Sequence, residues 1–149
     1  MKPSSALFMA LATVASLTTI APAEAFNPGQ LVQLKSTNSC SRCDLTFAPL
    51  EKATLTGAQL ESAALMSANL RSAKLNNARL SYAMLSEANL SGADLSNANL
   101  ENAQLMGAQL NGTVLTGANL SWATWTDGST CDEGSIGQCK KLASDKRKK

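Results

Sequence analysis

Apolar residues recur along this chain with a period of five. Leucine stands at every fifth position from Leu45 to Leu120 without a break, and Trp125 takes the next slot. The residue two before each of these is alanine, except for Cys43 and Thr113. Most positions between are polar. An α-helix does not fit, because five residues at 3.6 per turn rotate successive leucines by roughly 140° and wind them around the whole surface. A flat strand does not fit either, because an odd spacing sends alternate leucines to opposite faces. A chain that turns a corner every five residues solves both problems. Each unit is then one side of a square, every leucine points to the axis, and four units close a coil of twenty residues that stacks on the next at roughly 4.8 Å.

The alanines follow from the same geometry, since two inward positions on one side cannot both be large. Glycine and asparagine gather where the corners fall, as at Gly57, Asn77, Gly92, Asn97 and Gly117, residue types that tight turns favour. Segments such as Ala88-Asn89-Leu90-Ser91-Gly92 and Ala93-Asp94-Leu95-Ser96-Asn97 resemble the A(D/N)LXX pattern of the pentapeptide-repeat family. The resemblance runs over residues 43–125 and implies an all-β fold, a right-handed quadrilateral β-helix of about four coils. It implies little about activity, because one scaffold hosts unrelated functions.

The flanks follow other rules. Residues 1–25 carry Lys2, a largely apolar run from Ala6 to Ile20 and the small-x-small site Ala23-Glu24-Ala25, the grammar of a cleaved export signal. The apolar run is short and broken by Thr13, Ser16, Thr18 and Thr19, which suits cleavage better than a membrane span. Export to a periplasm or thylakoid lumen is the expectation, with no membrane span after cleavage. Residues 26–42 read as an N-terminal cap: Asn27 as helix cap, Pro28 in the first turn and a short amphipathic helix to Lys35. Residues 126–149 read as a C-terminal cap loop and a basic tail ending Lys146-Arg147-Lys148-Lys149. Trp122 and Trp125 are placed to cover the last leucine layer.

Four cysteines stand at 40, 43, 131 and 139, and in an exported chain an even count favours disulfides. The repeats separate the two groups by about four coils, roughly 20 Å, beyond disulfide reach. The expected pairs are therefore Cys40–Cys43 and Cys131–Cys139. A Cys-x-x-Cys redox site needs a helix N-terminus, whereas Cys43 fills an inward slot of the stack. A zinc site from all four meets the same distance, and histidine is absent, so no metal or cofactor is expected.

Residues twenty apart share a face, so the outward positions sort into columns. The face centred on Leu45, Leu65, Leu85 and Leu105 carries Met66, Met84 and Met106, every methionine beyond the signal. Methionine suits adaptable contact surfaces, which makes this the candidate interaction face. Tyr82 and Trp122 share a neighbouring corner column, Arg79 and Glu101 are spaced to pair between coils, and Asn69, Asn89 and Gln109 form a candidate polar ladder.

Catalysis finds no footing: Ser-His and Cys-His arrangements are impossible without histidine, and the acids Glu61, Glu87, Asp94 and Glu101 are scattered. The reading is an exported, non-enzymatic scaffold that binds another protein or a second copy of itself, and its resemblance is to lumenal or periplasmic cyanobacterial members of the family. One alternative is a binding module made redox-responsive by the Cys40/Cys43 pair. Another is the acidic, dimeric DNA mimic that some family members provide for topoisomerase. Here residues 43–125 hold six acids and four bases, only −2. The four basic tail residues are a solvated terminus rather than a nucleic-acid site.

Overall fold

The computed structural model describes residues 26–142; the expected export signal and the basic tail lie outside the described residues. The chain opens with helix α1, Pro28–Thr37. Asn27 caps it, its Oδ1 accepting from the amides of Gly29 and Gln30. The helix runs two residues past Lys35. Thr37 Oγ1 donates back to the Gln33 carbonyl, and the left-handed Asn38 (φ 57°) makes the stop. Leu31 and Leu34 turn inward, while Val32 faces solvent.

Beyond α1 the backbone forms coils. Parallel bridges join residue i to residue i + 20 from Ser39–Gln59 to Gln104–Thr124, in four columns. Residues 39–124 number 86, a little over four turns of twenty. Each side is a single bridge wide, so the described residues contain no extended strand.

One unit, Ala68 to Ser72, shows where every amide goes. Ala68 N–H closes the preceding corner on the Leu65 carbonyl, and Asn69 N–H donates down to Ala48. Leu70 and Ser72 donate up to Asn89 and Ser91. The remaining amide, Arg71, points out of the ladder, and the Asn69 side chain takes it. The same local bond recurs from Ser91 to Asn89, Ser96 to Asp94 and Glu101 to Asn99. Where Asn or Asp precedes a leucine, this is the physical reason: its side chain satisfies the one amide that stacking cannot.

Inside, every coil leucine from Leu45 to Leu105 is at most 2% exposed, and the facing alanines are buried except for the half-buried Ala53. Cys43 at 5% exposure occupies the first alanine slot and is bonded to Cys40.

The two ends differ. At the N-terminus the Gln30 side chain accepts the Asp44 amide and Asn27 N–H donates to the Asp44 carbonyl, imitating a missing coil. Pro49 has no N–H to leave open at the next bridge position, a common blunting of an exposed edge. At the C-terminus Leu120, Trp122 and Trp125 donate to Ser135, Cys131 and Ser129. Antiparallel bridges and the Cys131–Cys139 disulfide hold this loop. The lid covers only part of the last coil, leaving Leu110 and Leu115 half-buried. Trp125 packs on the core, but Trp122, expected to join it, stands at a corner 42% exposed.

Candidate interaction face

Each unit places its bridge residue on a flat side and the two residues after leucine at a corner. The first side carries Asp44, Ala64, Met84, Gln104 and Thr124 as its bridge column. The corner before it includes Tyr82 and Trp122; the corner after it includes Phe47, Met66 and Met106. The third side, opposite, carries Thr54, Lys74, Asp94 and Val114.

The three methionines do flank one side, but not as one exposed column. Met66 (38% exposed) and Met106 (56%) stand on the corner, two coils apart with Ser86 between them, whereas Met84 is half-buried in the bridge column. A Cβ on Gly128 would lie 3.8 Å from Met106 Sδ, which places this methionine beside the C-terminal turn.

Sequence reasoning missed Phe47, 59% exposed on the same corner. A signal was present in the pattern. The second corner residue of each unit has positive φ, which favours glycine or asparagine and disfavours a bulky side chain. An aromatic there is an outlier, and Phe47 (φ 61°), Tyr82 (60°) and Trp122 (61°) are three of them. Between Phe47, Met66 and Glu87 lies a shallow recess of about 290 Å³, also lined by Thr46, Ser67 and Ser86.

Several polar pairings differ from expectation. Arg79 pairs with Glu61, Nε to Oε1 at 2.6 Å, rather than with Glu101. Burial raises the Glu61 pKa, but the Ser41 hydroxyl, its own backbone amide and the Arg79 guanidinium together hold it below the usual carboxylate range. Asn69 and Asn89 spend their carbonyls on local amides instead of a ladder, while Asn119 Nδ2 does donate to Asn99 Oδ1 along the stack. Asp94 is held low by the Ser96 hydroxyl and amide. Asp127 is held well below its ordinary value by its hydrogen bond from Lys141, then by Ser129.

Among the described residues no His, Cys, Asp or Glu side chains group to hold a metal. No described helix is long and apolar enough to cross a membrane. Of the core-repeat leucines, Leu45, Leu65, Leu85 and Leu105 all back this first side from within.

The coils of twenty built from five-residue units define the class of protein, a repeat solenoid with a leucine–alanine core. The pentapeptide repeats family matches residues 43–81, 63–102 and 83–121, and the chain belongs to it. Among solved structures it is similar to the pentapeptide repeat protein alr5209 from Nostoc PCC 7120. That likeness has 34% identity over 65% of this chain and 82% of that one, with a TM-score of 0.58. It is similar to HetL of the same organism, involved in heterocyst differentiation regulation. Here identity is 35% over 62% of this chain and 51% of that one, with a TM-score of 0.41. The plasmid-mediated fluoroquinolone resistance protein QnrB1 is 27% identical over 57% of this chain and 42% of its own length, TM-score 0.54. The chain thus spans about half or less of these last two. No protein of curated function matches it.

Proposed function

We propose that this chain is an exported, non-enzymatic scaffold, a right-handed quadrilateral β-helix of about four coils, that docks a protein partner on its first side. The observation that carries the reading is the concentration of exposed apolar side chains there. Among the described residues, five of the eight large exposed ones, Phe47, Met66, Tyr82, Met106 and Trp122, border this side. Exposed apolar side chains gathered on one side of a fold mark an interface more often than ones scattered over its whole surface. Export is supported by the signal pattern at 1–25 and by two disulfides, which persist in oxidising compartments. The test is affinity capture from the native compartment with the wild-type chain and with Met66→Glu plus Met84→Glu. The partner is expected to be lost from the double variant; unchanged capture would sink the face assignment.

A second reading makes the N-terminal cap redox-responsive. It is favoured by the position of Cys40 Sγ, 3.3 Å from the Gln30 carbonyl of α1, so that the disulfide touches the cap. Against it, Cys40 is fully buried and Cys43 nearly so, which denies access to a reductant. Thiol trapping of freshly isolated protein distinguishes the two, because a staple stays oxidised throughout.

A further inference from the structure

The corners of the solenoid do not treat all four sides alike. Around the third side the left-handed positions read Lys52, Ser72, Gly92 and Gly112 on one corner and Gly57, Asn77, Asn97 and Gly117 on the other. Apart from Lys52, these are small residues or asparagine, which a turn with positive φ accepts. Around the first side the same positions include Phe47, Tyr82, Glu87 and Trp122. Large side chains are held in a disfavoured conformation there, and none is buried by it: Tyr82 is 60% exposed, Phe47 59% and Trp122 42%. The core does not need them. Local strain at exposed residues, gathered on one side of an otherwise regular scaffold, is the kind of outlier that points to function.

Charge sorts the same way. Asp44, Glu61, Glu87 and Glu101 stand on the first side or its corners, with Arg42 as the base among them, so four acids less one base leave −3. Glu61 is already engaged by Arg79 of the fourth side, and Asp127 by Lys141. Lys52, Arg71 and Lys74 lie around the third side with Glu51 and Asp94, so three bases less two acids leave +1 there. The first side therefore has apolar corners, a mixed middle in which Ala64 and Met84 are the apolar members, and an excess of acids. The recess at Phe47, Met66 and Glu87 repeats this on a smaller scale. Its apolar wall suits the methylene stem of a lysine or arginine, its ring can face the cation, and its carboxylate can take the charge.

We infer that the first side binds a basic amphipathic helix of a partner protein, with the helix's apolar stripe over Met84 and the flanking corner residues Met66 and Tyr82 and a lysine or arginine in the recess at Glu87. This inference rests on the docking reading above and adds the partner's chemistry to it. A helix rises 5.4 Å per turn and the coils are spaced roughly 4.8 Å apart, so successive helical turns can meet successive coils. Nucleic acid and anionic membrane surfaces carry the wrong charge for this side.

The test uses the purified full chain and three probes: a leucine–lysine amphipathic peptide of about five helical turns, its leucine–glutamate counterpart, and phosphatidylglycerol vesicles. Calorimetry is expected to show the lysine peptide binding at least tenfold more tightly than the glutamate peptide, with affinity falling as salt rises. Phe47→Asn with Tyr82→Asn should weaken lysine-peptide binding at least tenfold while raising the thermal midpoint, which separates lost contact from lost folding. Glu87→Gln should weaken it several-fold. Equal binding of both peptides, binding indifferent to the Phe47/Tyr82 pair, or retention on the vesicles overturns the inference. A chain that ignores both peptides yet loses its native partner on Met66→Glu plus Met84→Glu keeps the docking reading and removes this one.

Discussion

Leu85 on the first side and Leu95 on the third are both fully buried, each behind an alanine, and each donates its amide one coil up at 2.7–2.8 Å. Seen from the axis, the two sides are the same structure. Seen from solvent they diverge: the first side is bordered by Phe47, Met66, Tyr82 and Trp122, while the third is bordered mostly by glycine, asparagine and serine. The comparison separates two kinds of constraint. The core constrains what repeats, because any inward residue must fit between the coils above and below. The corners are constrained only by their backbone conformation, and that preference can be overruled where something else is selected. What varies between sides is thus where specific function can reside.

The largest effect should be one in which the sides behave alike. Leu85→Ala and Leu95→Ala should each cost about 2–5 kcal/mol in chemical denaturation. Similar losses are expected, since both leucines are fully enclosed, and a marked difference would show that the two sides do not share one core.

The corners should then behave oppositely. Tyr82→Asn relieves a bulky left-handed residue and should stabilise by about 1 kcal/mol, whereas Gly92→Tyr should destabilise by about 1–2 kcal/mol. Thermal unfolding of the two variants reads this directly. A destabilised Tyr82→Asn would mean that the aromatic contributes to the fold, and the contrast between sides would lose its functional meaning.

A smaller effect concerns ion pairs. Arg79→Gln removes the partner of Glu61, but Arg79 is two-thirds exposed, so the loss should stay within about 1 kcal/mol. Salt titration of both proteins should bring their stabilities together.

The smallest is a pH effect common to both sides. Glu61 and Asp94 are held below their ordinary values by different donors. A carboxyl depressed in the folded state contributes stability above its unfolded pKa, about 4, and that contribution is lost as pH falls through the folded value. Stability should therefore decline gently below about pH 4. Ser96→Ala should raise the Asp94 titration seen by NMR while leaving Glu61 unmoved; a shift of both would show that the two sides are electrostatically coupled.

Much of the fold was legible because the period of five is incompatible with any other regular backbone. The cap at Asn27-Pro28 was legible too, since both residues carry local signals that need no tertiary partner. The polar columns were less so. Asn69 and Asn89 were expected to bond along the stack, but the corner amide two residues on is nearer and unsatisfied, so they turn to it. Arg79 had acids above and below at similar spacing, and periodicity alone cannot choose between Glu61 and Glu101. Trp122 was assigned to the lid on its chemistry, although its slot is a corner slot, and register prevails over hydrophobicity there.

By itself the sequence determined what repetition can encode: a coil of twenty, a leucine–alanine interior, tight-turn corners, and the two cysteine groups at opposite ends. Only the tertiary structure decided how far Met84 sinks between its neighbours, that Phe47 stands beside Met66 and above it Glu87, and that the C-terminal lid stops short of Leu110 and Leu115. The reason is one of range. Backbone period and corner conformation are set within five residues, whereas exposure and pairing depend on groups twenty and forty positions away that stacking brings together.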